Sequence, residues 1–237
     1  MRPAFAVLAL AIFAACKPPA AAEASPPKAP DAPPPPPAPP SRTPPSAPSA
    51  ALPSPAPVAP QPGDVAPDFA LTDTEGKTVK LADFAGKIVV LEWFNPGCPF
   101  VKYAHDEGPL KTMAKEYAEK GVTWLAVNSS APGREGSGLA RNVDARKQWN
   151  LEHPILLDEK GEVGKRYGAT RTPEIFVIAA DGKLAYHGAP DNQPGGELAE
   201  GDGPEPYVRN ALDALLAGKP VGKALTQPRG CSVKYPQ

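Results

Sequence analysis

LEWFNPGCPFVK, residues 91–102, runs a short apolar strand into a proline-bracketed cysteine that opens a helix. Ile88, Val89, Val90 and Leu91 are β-branched or aliphatic with no turn residue among them, the composition of a buried strand. Asn95, Pro96 and Gly97 then stop the strand. Cys98 falls where an N-cap belongs, and Pro99 at the first helical position, where its missing N–H costs nothing and its fixed φ suits the helix. The thiol therefore faces the positive end of a helix dipole, which favours the thiolate, the nucleophilic form. A reactive, solvent-accessible thiol is one reading of Cys98; a small buried hydrophobe is the other.

C-terminal to this stretch, the helix from Pro99 is expected to kink at Gly108-Pro109. It resumes with Leu110, Met113, Ala114 and Tyr117 at helical spacing, a core-facing stripe. Val122–Val127 reads as the next strand. Residues 137–149 read as a third helix whose partly buried face carries Leu139, Val143, Arg146 and Trp149. Ile155–Leu157 is a strand, Glu162–Tyr167 a helix, and Glu174–Ala179 pairs through Asp181-Gly182 with Lys183–Tyr186. A Gly/Pro/acid loop over 188–206 precedes a last helix, Tyr207–Ala217, and residues 218–237 form a tail. N-terminal to the stretch, Asp68–Thr72 and Lys77–Leu81 flank a turn at Asp73–Gly76. The order is ββ, then β-α-β-α-β-α-ββ-α. It predicts an α/β domain over 63–237, with a mixed central sheet flanked by helices and an N-terminal hairpin extension.

Upstream the composition changes. Residues 4–15, AFAVLALAIFAA, follow Arg2 and end in small residues before Cys16. A bilayer core needs roughly 20 apolar residues, so this shorter run predicts a signal peptide rather than an anchor helix. Its FAAC ending resembles a bacterial lipoprotein signal over residues 1–16, which implies a lipidated Cys16 and a membrane attachment in the cell envelope; ordinary secretory cleavage is the alternative. Residues 17–62 hold 20 of the 35 prolines and no aromatic residue, so they predict a disordered stalk. As polyproline II, roughly 45 residues reach about 140 Å. A net charge of −1 gives no electrostatic case for nucleic acid.

Of three cysteines, setting aside Cys16 leaves Cys98 and Cys231. In an exported domain, where disulfides form, an even pair points to a functional couple or to a static crosslink. Cys231 lies in QPRGCSVKY, beyond the last helix, where no core pattern asks for a thiol. A partner thiol on a mobile tail suits that position.

Four segments, APDFALTDTEGKTVKLADFAGK at 66–87, FNPGCPFVK at 94–102, YGATRTPEIFVIAADGKLAYHG at 167–188 and GCSVKY at 230–235, resemble the thioredoxin-fold redoxins. The resemblance is strongest to the peroxiredoxin-like branch of the alkyl hydroperoxide reductase and exported thiol-disulfide reductase family. It implies a thioredoxin-like fold and a nucleophilic Cys98. Val101 occupies the place of the second cysteine of a Cys-x-x-Cys turn, so the second thiol must come from Cys231, another molecule or a small thiol. Pro173 matches the cis-proline and Thr172 the residue offering backbone to an extended substrate. Glu92 matches a buried proton-relaying acid, with a carboxylate paired to a neighbouring lysine as the alternative. Asn95 stands where peroxiredoxins carry a threonine, beside the substrate. Arg171 is positioned to polarise a peroxide or to lie solvated in its loop, and Lys102 strengthens the field at Cys98 modestly. His105, His153 and His187 are scattered. His105 lies two helical turns past Cys98, about 10 Å along the axis.

Together these imply an exported thiol-based oxidoreductase performing thiol-disulfide exchange or antioxidant peroxide reduction. It would need no metal or organic cofactor and would draw electrons from an external thiol reductant. A non-catalytic binding module and a copper-handling protein are the alternatives, and Lys102 replaces the second cysteine that a Cys-x-x-x-Cys copper site wants.

Overall fold

Residues 59–198 and 203–237 are described by a computed structural model. The expected signal peptide, Cys16 and nearly all of the expected stalk lie outside the described residues. In chain order the strands are β1 (Ala70–Asp73), β2 (Thr78–Lys80), β3 (Val89–Trp93), β4 (Thr123–Asn128), β5 (Ile155–Leu157), β6 (Arg171–Thr172), β7 (Glu174–Ile178), β8 (Leu184–Gly188) and β9 (Cys231–Ser232). The helices are α1 (Pro99–Asp106), α2 (Leu110–Ala118), α3 (Leu139–Gln148), α4 (Glu162–Tyr167) and α5 (Tyr207–Leu216).

β3 is buried at every position because it is central and covered on both faces. Leu91 and Trp93 point to a core holding Phe69, Leu125, Leu156, Tyr167 and Phe176. Val90, on the opposite face, packs with Met113, Tyr117, Trp124, Ile175 and Leu212. β3 runs parallel to β4 and antiparallel to β7, and β4 runs parallel to β5. The whole forms a seven-stranded mixed sheet in the order β2-β1-β5-β4-β3-β7-β8. This is a thioredoxin-like arrangement, with the expected hairpin β1–β2 added at one edge.

Three expectations are corrected. Gly108-Pro109 does not kink one helix but separates two, since Pro109 has no N–H to continue the ladder of α1. Leu139 is exposed, and α3 buries Asn142 and Ala145 instead. The reason is polar: Asn142 accepts from Asn128 and donates to the carbonyl of Gly138, bonds no hydrophobic pattern reveals. The tail is not loose. His187 N–H donates to Ala224 O, Val233 N–H to Thr170 O and Ala131 N–H to Lys234 O, while Tyr235 Oη donates to Ala169 O. In the same segment β9 pairs antiparallel with β6.

Candidate active site

The cysteine turn is built from Asn95 outward. The Asn95 carbonyl accepts from Cys98 N–H and its side-chain oxygen from Gly97 N–H at 2.7 Å, so the chain turns sharply out of β3. Asn95 Nδ2 donates to Ser130 Oγ and to Glu135 O, fastening the 131–135 loop over the turn. With both ends of its amide engaged, Asn95 shapes the turn; the substrate contact expected of it is already filled by the protein. Cys98 takes the N-cap position of α1 with extended backbone, and Pro99 stands at the first helical position.

Cys98 is 0% exposed, so the openly accessible thiol expected from the sequence is not present in this arrangement. Phe94, Val101, Ala126, Ala145 and Ile155 form its inner wall, and Cys231 packs on the same cluster from the tail. Its Sγ donates to the carbonyl of Thr172 at 3.1 Å. Thr172 and Pro173 are joined by a cis peptide bond, and Thr172 is in turn the register partner of Cys231. Two free thiols thus meet at one residue. Burial pushes the Cys231 thiol up to about 12, and its hydrogen bond with the Cys98 sulfur pushes the same way, while Lys234 pulls it down. Lys234 pairs with Glu135 at 3.8 Å.

Glu92 and Arg171 spend their hydrogen bonds on groups other than the sulfurs. Glu92 accepts from His105 Nε2 at 2.8 Å and from Trp124 Nε1 at 3.0 Å. Burial raises its carboxyl, but His105 with the Trp124 N–H outweighs that, and the pKa falls below its ordinary value. The partner is therefore a histidine rather than the neighbouring lysine the sequence offered. His105 also stacks on Trp149, centroids 5.1 Å apart, and its Nδ1 has no partner. Arg171 is exposed and donates to Thr170 O; strand alternation turns it away from the side on which Thr172 is buried.

Sequence reasoning passed over a second buried acid. Glu174 follows the cis-proline and is 1% exposed. One oxygen accepts from the backbone N–H groups of Thr170 and Arg171, at 2.8 and 2.7 Å, and the other from His187 Nε2 at 2.6 Å. The available signal was the one that singled out Glu92: a carboxylate inside an apolar run.

A family model described as Redoxin matches residues 61–203. The thiol-disulfide oxidoreductase ResA of Bacillus thuringiensis subsp. konkukian is 36% identical over 123 residues, covering 52% of this chain and 66% of that protein, just under two thirds of its length. An uncharacterized conserved protein from Geobacillus kaustophilus superposes with a TM-score of 0.65 at 33% identity, over 76% of this chain and 94% of that one. A candidate thiol:disulfide interchange protein DsbE from Chlorobium tepidum does so with a TM-score of 0.53 at 25% identity, over 67% and 99%.

Proposed function

Because this chain belongs to the redoxin family and carries its thioredoxin-like fold, we propose that it is a thiol-disulfide oxidoreductase using Cys98 as nucleophile and Cys231 as resolving thiol. The observation that carries this is the meeting of two free thiols at Thr172, one hydrogen-bonded to its carbonyl and the other paired with it in register. The Cys98 thiol must release the proton it donates to Thr172 O before its sulfur can attack, because the thiolate is the nucleophile. The Cys98 thiolate then attacks one sulfur of a substrate disulfide. The S–S bond breaks, a mixed disulfide forms, and the leaving thiolate takes a proton from water. Cys231, deprotonated in its turn, attacks the Cys98 sulfur, releases the second substrate thiol and closes a Cys98–Cys231 disulfide. An external thiol reductant returns both sulfurs to the starting state.

Within this reading Thr172 and Pro173 shape the groove, Asn95 holds the turn, Glu92 anchors α1 to β3 as a buried anion, and Arg171 lies at the groove's outer rim. Peroxide chemistry is disfavoured, since Cys98 faces a carbonyl acceptor where activating a peroxide calls for a donor. The domain over 63–237 works outside the cytoplasm, carried on the 17–62 stalk and lipid-anchored at Cys16. The resemblance of residues 1–16 to a lipoprotein signal supports that placement.

The test is thiol counting. A small aromatic disulfide should convert both thiols of the native protein into one internal disulfide, and Cys231→Ser should stop at a mixed disulfide on Cys98. Native protein that keeps two reactant-resistant thiols, or oxidation of Cys98 by hydrogen peroxide to a trappable sulfenic acid faster than any disulfide reacts, would refute the assignment.

A further inference from the structure

The trough in which the tail lies has its own specificity. Thr172 and Arg171 face Cys231 and Ser232, and Val233 N–H donates to Thr170 O, so one backbone edge is paired along its length. The 131–135 loop closes the opposite side through Ala131 N–H to Lys234 O and the Glu135–Lys234 pair. Most of these contacts are to backbone and accept any side chain. Two are not. At Gly230, φ is +139°, and an added Cβ would stand 2.2 Å from Thr172 O, the same oxygen that holds the Cys98 thiol. At the far end the Tyr235 hydroxyl reaches Ala169 O, and its ring lies so close to α4 that a Cβ on Gly161 or Gly164 would come within 2.5 or 2.8 Å of it.

We propose that this trough is a binding site for an extended polypeptide of the pattern Gly-Cys-x-x-x-Tyr, with residues 230–235 as its resident occupant. The missing side chain before the cysteine and the aromatic ring four positions after it select what enters. A foreign strand of the same pattern gains Cys98 by displacing the resident one. The inference deepens the exchange reading, which supplies the chemistry at the sulfur, but the fit of the strand stands on geometry alone.

The experiment uses the full chain with Cys231→Ser, and the same chain with Gly230→Ala or Tyr235→Ala added to unseat the tail from either end. The probes are the peptides Gly-Cys-Ser-Val-Lys-Tyr, Ala-Cys-Ser-Val-Lys-Tyr and Gly-Cys-Ser-Val-Lys-Ala, each activated as a thionitrobenzoate mixed disulfide, with release of the yellow thiol as readout. Both tail variants should react with the first peptide at least about 10-fold faster than the parent. The first peptide should outpace the other two by a similar factor, within what one overpacked or missing contact costs. Equal rates for all three peptides, or tail variants no faster than the parent, would overturn the proposal. Thermal unfolding confirms that the variants are folded. The unreactive peptide Gly-Ser-Ser-Val-Lys-Tyr separates the two readings: its saturable binding to the Gly230→Ala variant supports the trough even where Cys98 exchanges with nothing. No binding, while a small disulfide still oxidises Cys98, removes the trough and leaves the exchange chemistry standing.

Discussion

Two buried glutamates each hold a histidine thirteen positions on, and they sit on opposite faces of the sheet. Glu92 is satisfied by side chains alone, His105 and Trp124, and through His105 it pins the end of α1 to β3. Glu174 is satisfied by backbone, the amides of Thr170 and Arg171, and only then by His187. The first therefore stands behind the helix carrying Cys98, and the second behind the loop against which Cys231 lies. A carboxylate bonded to side chains fixes how elements pack. One bonded to amides fixes the course of the main chain, and here that main chain lines the groove.

The strongest way to break the comparison is to remove each acid. Glu174→Ala leaves two amides and His187 without their acceptor, and is expected to cost about 3–5 kcal/mol in urea unfolding. It should also slow closure of the Cys98–Cys231 disulfide at least about 10-fold in the protein that remains folded, because the loop under Cys231 loses its course. Glu92→Ala should cost about 3 kcal/mol yet leave disulfide closure within about threefold, the scatter of an indirect effect. Equal losses of closure rate in the two variants would erase the distinction.

Acid separates the pairs next. The Glu92 carboxyl is depressed in the folded chain, so its contribution is complete above the ordinary carboxylate range and disappears as pH falls through the lowered value. His153, close enough to feel Glu92, is half-buried, and loss of solvent around its ring lowers it from 6.5 to about 4. As pH falls below 6.5 the unfolded chain binds that proton before the native one does, so stability declines down to about pH 4, by about 3 kcal/mol in total. His153→Gln should flatten the decline between those limits. A stability–pH curve identical to that of the native protein would disprove a neutral imidazole held away from water at this position.

The smallest effect belongs to the tail. With Cys231 held near 12 by burial and by Cys98, and Lys234 opposing that, Lys234→Met should slow alkylation of Cys231 at pH 8 about two- to threefold. An unchanged rate would mean that Lys234 serves only Glu135.

Much of the frame was legible because its signals are local. The strand of Val89 and Leu91, the cysteine at the N-cap followed by Pro99, and the β5 and α4 boundaries each depend on a few adjacent residues. What escaped was non-local. Nothing near Glu92 names His105 as its partner, because the cysteine turn and most of α1 intervene before the ring returns to the acid. Arg171 sits beside Thr172 in sequence, but strand alternation sends the two side chains to opposite sides. The pairing of Cys231 with Thr172 joins the C-terminal segment to an internal loop with which it shares no sequence pattern, and with it went the burial of Cys98.

That burial has a consequence in time. A ribosome working from the N-terminus makes the cysteine turn well before the strand that covers it, so the emerging domain spends its early life with an uncapped sulfur at the mouth of α1. Nascent chains stalled before residue 224 should therefore be labelled by a maleimide at Cys98, and chains stalled late enough to free residue 235 from the exit tunnel should not. Labelling that ignores chain length would show that the late strand is no lid at all.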